Sequence, residues 1–114
     1  MNKKPSALKG KLMPDAPNSE KDIVRSSVQL VHAVGMHARP AVKLTRLAKR
    51  FKSRIAMRVA GAADWIDAKS VAKVMAMRAA RDSIIEFEAS GADARVAVAA
   101  LVTLIAQDFT DTGR

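Results

Sequence analysis

VGMHARPAVKLTRLAKRF, residues 34–51, sets a glycine and a histidine directly before an arginine, a proline and an amphipathic run. At about 100° per residue, Ala41, Leu44, Leu47, Ala48 and Phe51 fall on one side of a helix, and Lys43, Arg46 and Arg50 on the other. Pro40 suits the first turn, where backbone amides have no intrahelical acceptor. His37 is therefore expected at the positive end of this helix, with Arg39 two residues on. Free amides, the helix dipole and a guanidinium around one imidazole favour an anion, most naturally a phosphoryl group.

Working outward, Val28, Leu30 and His32 alternate with Ser27, Gln29 and Val31, which predicts a first strand over 23–32. Ile55, Met57 and Val59 give one face of a second strand. Residues 60–64 read as a loose hairpin, and Trp65-Ile66-Asp67 as a short return strand. A short helix starts at Ser70 and carries Val71, Val74 and Met75. Ile85, Phe87 and Ala89 mark a fourth strand, and residues 93–108 a last helix with Ala94, Ala97, Leu101, Leu104 and Ile105 inward. The order is β-α-β-β-α-β-α, an α+β chain in which helices cover one sheet face.

The 114 residues suit one domain. Residues 1–22, with three prolines, several lysines and no sustained apolar period, read as a flexible basic N-terminal extension, leaving 23–110 as the domain. The net charge of +9, from 20 basic and 11 acidic side chains, favours acidic partners. Nucleic acid is a poor candidate, because aromatics make up only 4% and no helix-turn-helix or glycine-rich loop is visible. The absence of cysteine excludes disulfides and thiolate metal sites and leans towards the cytoplasm. No apolar run is long enough to span a bilayer. His32 and His37 lack a third ligand in the pattern, so no metal is expected. His32 reads as an inward or edge residue at the strand's end.

Gly35-Met36-His37-Ala38-Arg39-Pro40-Ala41 resembles the active-site signature of the HPr family, histidine phosphocarriers of the bacterial phosphoenolpyruvate-dependent phosphotransferase system. Lys69-Ser70-Val71 resembles its second motif, and Gly91-Ala92-Asp93 before an apolar helix its closing one. The resemblance spans about residues 26–109. It implies an open-faced β-sandwich with a four-stranded antiparallel sheet and three helices on one face. It also implies a cofactor-free monomeric carrier, and not a stand-alone enzyme. The carrier takes a phosphoryl group on Nδ1 of His37 from an enzyme I-type protein and passes it to an EIIA-type protein, in sugar uptake or nitrogen-related regulation. Arg39 would steady the phosphoryl oxygens. The alternative is an HPr-like regulatory docking protein that acts mainly through protein binding and is controlled by phosphorylation of Ser70.

Met36, Val42, Val71, Ala72 and Met75, ringed by Arg39, Lys43, Arg46, Lys49 and Lys73, form the expected partner surface, with Met36 as an exposed apolar contact beside the site. An apolar centre with a basic rim suits transient docking on acidic proteins. Ser70 is placed to cap the second helix. In part of the family the matching serine is phosphorylated by HPr kinase. Here Lys73 stands where a glycine is usual three residues later, Ala72 replaces a bulky residue, and Arg78 and Asp82 replace two further glycines. Those departures keep the cap and weaken the case for that kinase.

Overall fold

The strand ladders decide the architecture of this computed structural model, which describes residues 23–110. Its elements are β1 (Ile23–Gln29), α1 (Ala38–Ala48), β2 (Arg54–Val59), β3 (Ile66–Asp67), α2 (Val71–Ala76), β4 (Ile84–Ser90) and α3 (Ala94–Ala106). They form one antiparallel sheet in the order β1-β4-β2-β3. Val28 lies opposite Ile85, which lies opposite Val59; Met57 faces Phe87, and Val24 and Ile55 flank Ala89. Because side chains alternate across a strand, that register puts one apolar row on a single face.

The three helices cover this face. Ala41, Leu44 and Ala48 of α1, Val74 of α2, and Ala97, Leu101 and Ile105 of α3 meet Ile55, Met57, Ile85 and Phe87 in one buried core. The opposite face carries charges. Arg25 pairs with Glu88 at 3.1 Å and Arg58 with Glu86 at 2.6 Å. The Arg58 guanidinium also lies 4.3 Å from the centroid of the Trp65 ring, so Trp65 helps cover the sheet's open face. This is the open-faced sandwich expected from the sequence, and the segment 1–22 lies outside the described residues.

Two boundaries differ from the periodicity. β1 stops at Gln29 and not at residue 32. Beyond it the chain turns, with Gly35 N–H donating to His32 O at 2.9 Å. The return strand is only Ile66–Asp67, leaving Trp65 in the hairpin. Among the described residues, no helix is long and apolar enough to cross a membrane.

Candidate functional site

The loop before α1 is pinned from beneath. Met36 N–H donates to Ala79 O at 2.9 Å, and a Cβ at Gly35 would come within 2.6 Å of that same oxygen. Gly35 also has φ +75°, a conformation that L side chains rarely adopt. Glycine is therefore needed where the chain passes over the segment between α2 and β4. This close passage overturns one expectation. Met36 is only 5% exposed and belongs to the core, so its side chain is not a surface contact.

His37 follows as the N-cap of α1, extended and exposed, with no side-chain hydrogen bond to its own helix. Pro40 brings no amide to the first turn. The amides of Ala38 and Arg39 have no acceptor among the described residues. Unsatisfied amides at a helix start carry the positive end of its dipole. Arg39 is exposed in the same turn, and its guanidinium has no hydrogen-bonding or ion-pair partner among the described residues. An anion held here would meet charge and donors without displacing an existing partner.

The imidazole does have one neighbour. Nε2 of His37 lies 3.3 Å from Nε2 of His32, with ring centroids 5.2 Å apart. His32 in turn has its Nδ1 2.8 Å from Oδ1 of Asp108. The ring of Phe109 stands edge-on to His32 at 5.7 Å, and Lys43 Nζ donates to Phe109 O at 2.8 Å. His32 is thus neither an inward strand residue nor isolated from the site.

Sequence periodicity missed these contacts because they join the loop to the turn after α3, far along the chain. Their one visible signal was the short His32–His37 spacing. Lys43, expected as a free rim charge, is half-buried and engaged by that turn. Of the remaining surface candidates, Arg46, Lys49, Ala72, Lys73 and Met75 are exposed, and Val42 and Val71 are half-buried on α1 and α2. Ser70 caps α2, its hydroxyl oxygen accepting from Lys73 N–H at 3.2 Å. Lys69 works structurally too, its Nζ donating to Phe51 O at 2.7 Å just past α1.

Residues 24–107 match the family described as PTS HPr component phosphorylation site. The chain belongs to the HPr family. It is 36% identical over 87 residues to the phosphocarrier protein HPr of Cupriavidus necator, an alignment covering 76% of this chain and 96% of that protein. It is 32% identical over 88 residues to the phosphocarrier protein NPr of Escherichia coli K12, covering 77% and 97%. The crystal structure of HPr-C-His from Thermoanaerobacter tengcongensis is similar to it with a TM-score of 0.71 at 27% identity, covering 77% of this chain and 97% of that one. The chain is accordingly a phosphocarrier of the phosphotransferase system, passing phosphoryl groups between enzyme I-type and EIIA-type proteins through a histidine intermediate. Such a carrier needs no enclosed substrate pocket, and the surface depressions beside Trp65 do not include His37.

Proposed function

We propose that His37 is the phosphoryl-carrying residue of this phosphocarrier and that Nδ1 is the reacting atom. The observation that carries the reading is that Nε2 of His37 is turned to His32, while the exposed ring sits at an uncapped helix start. The phosphoryl oxygens would then lie among the free amides of α1 and the Arg39 guanidinium, which neutralise charge without forming a covalent bond. Phosphoryl transfer between two histidines demands alignment more than a pocket, so a shallow, exposed site suits it.

The docking face is read as the exposed parts of α1 and α2, with Val42, Val71 and Met75 at the centre and Arg39, Arg46, Lys49 and Lys73 around them. Its charge favours fast encounter with acidic enzyme I-type and EIIA-type surfaces, and its small apolar area favours release. Phosphorylation of Ser70 would place a dianion on that face and weaken docking. Residues 23–110 act as the carrier domain in this reading, with 1–22 as an extension to it.

The test is treatment with phosphoenolpyruvate, Mg²⁺ and a cognate enzyme I, followed by mass analysis under mild base and under acid. The wild type should gain one acid-labile, base-stable phosphate, and His37→Ala should gain none while keeping its thermal midpoint. Arg39→Ala should remain phosphorylatable but react more slowly, because it keeps the nucleophile and loses oxygen stabilisation. Acid-labile phosphate on His37→Ala would overturn the assignment. A wild type that binds its partners and accepts no phosphate would point to docking alone.

A further inference from the structure

Resting on the reading of His37 as carrier, we infer that His32, oriented by Asp108, is a positioning residue that sets the tautomer of His37. The chain of contacts fixes the protons one at a time. An ionised carboxylate can only accept, so Nδ1 of His32, 2.8 Å from Oδ1 of Asp108, carries a proton. A neutral His32 then has an unprotonated Nε2, able only to accept. Among the described residues, the partner offered to it is Nε2 of His37 at 3.3 Å, which must donate. Neutral His37 is left with its lone pair on Nδ1. The nitrogen that meets the phosphoryl group is thereby selected by Asp108, two hydrogen bonds away.

The surrounding contacts hold this arrangement. Gly35 N–H donates to His32 O, the buried Phe109 ring packs edge-on to the His32 ring, and Lys43 fastens the Phe109 carbonyl. The side chain of His32 is 27% exposed and that of Asp108 is 53% exposed. A carboxylate that open contributes little Coulombic energy. Its effect is to direct a proton, as carboxylates and carbonyls do for metal-bound or catalytic imidazoles.

During transfer, the His37 Nδ1 lone pair forms the new N–P bond. The bond between phosphorus and the donor's imidazole nitrogen breaks, and its electron pair stays with the donor ring. The positive charge gained by the His37 ring is spread through the hydrogen bond from its Nε2–H to Nε2 of His32 and on to Asp108, the proton staying on His37. Passing the phosphoryl group onward restores the neutral ring, so the cycle consumes and releases no proton.

The test uses the full chain with ¹⁵N-labelled histidine. Long-range ¹H–¹⁵N spectra are recorded over a rising pH series and read on the alkaline plateau, where the ring nitrogen shifts no longer change with pH. Wild type should show His37 Nδ1 as unprotonated, pyridine-like nitrogen and Nε2 as protonated, pyrrole-like nitrogen. His32→Lys, which can only donate, should invert that pattern, and His32→Gln, whose amide oxygen can accept at the same place, should keep it.

Phosphorylation by enzyme I should slow about tenfold in kcat for His32→Lys. That is less than the 10²–10⁴ of a residue transferring a proton at the reacting atoms. KM for enzyme I should stay unchanged, and His32→Gln should recover most of the rate. Asp108→Asn, at an exposed position, provides a second variant should a His32 substitution disturb folding, and it should mix the two His37 tautomers. An unchanged His37 tautomer in both His32→Lys and Asp108→Asn would overturn the inference. So would a rate loss in His32→Lys that His32→Gln shares in full. If phosphate maps elsewhere than His37, the carrier assignment fails, whereas the tautomer result is read from spectra of the unphosphorylated chain.

Discussion

At the start of α1, His37 stands exposed and leaves its own helix uncapped. At the start of α3, Asp93 also makes no side-chain hydrogen bond to its own helix, yet its carboxylate is closed off. Oδ2 accepts from Lys52 N–H at 2.9 Å, and Oδ1 accepts from Ser53 N–H at 2.9 Å and from the Ser53 hydroxyl. Ser53 is 2% exposed, and a Cβ at Gly91 would come within 2.5 Å of its hydroxyl oxygen, so the chains meet without room for another group. The Ser53 hydroxyl, helped by the Lys52 amide, holds the Asp93 carboxyl below the ordinary aspartate range against the opposing effect of burial. Similar polar means serve different ends. Where every donor has found an acceptor, the site ties β2 to α3; where donors and a lone pair face outward, the site can exchange a ligand.

The largest stability effect should come from breaking the closed end. Asp93→Ala removes the acceptor for a buried Ser53 amide, and a loss of about 2 kcal/mol is expected, measured by urea unfolding at neutral pH. The sign of the pH dependence follows from the lowered pKa. The stabilisation is fully present above the unfolded value of roughly 3.9 and is lost as pH falls through the lower folded value. The difference between wild type and Asp93→Ala should therefore shrink only in that acid window. Phosphate acceptance at neutral pH should be unchanged, since Asp93 lies outside the His37 site. A parallel loss of acceptance would collapse the distinction between the two helix starts.

α2 offers an intermediate case, because its start is capped by Ser70 on a half-buried, reachable surface. Ser70→Ala should lose on the order of 1 kcal/mol, and Ser70→Asp should retain most of the cap. If the face is used for docking, Ser70→Asp should also raise KM for enzyme I, whereas Ser70→Ala should not. Equal KM values for the two would make this helix start purely structural.

These contrasts mark what could be read in advance. The element order followed from alternation and helical spacing, because each strand has one coherent apolar face, and Pro40 beside His37 located the start of α1. The cap at Ser70 was legible because a serine before a short apolar run has few other uses. Met36 was misplaced because its burial depends on the loop being drawn down to Ala79 O, a contact no local pattern records. Lys43 and His32 were misassigned for a related reason. Both are committed to the turn at Asp108 and Phe109, where residues beyond the last helix fold back onto the first loop. Local period reports which face of an element is buried, but not which distant turn will cover its end.

The smallest effect concerns the segment on which the His37 loop rests. Arg78 and Asp82, which stand where the family usually has glycine, keep positive φ values of 52° and 73°. Between them lies Ala79, whose carbonyl receives Met36 N–H, and Asp82 N–H itself donates to Leu30 O at 2.7 Å. The left-handed conformation costs an ordinary L residue roughly 1–2 kcal/mol. Glycine removes that cost but brings back about 0.4–1 kcal/mol through its freer unfolded chain. Arg78→Gly should therefore stabilise the protein by about 0.5–1 kcal/mol, read as a higher urea midpoint with an unchanged slope. Asp82→Gly should gain less, because aspartate tolerates this conformation better than arginine. Neither change should alter the His37 tautomer, since the backbone path beneath the loop is kept. A destabilised Arg78→Gly would mean that the arginine side chain makes a contribution larger than its backbone strain. The support beneath the open site would then depend on a side chain as well as on backbone shape.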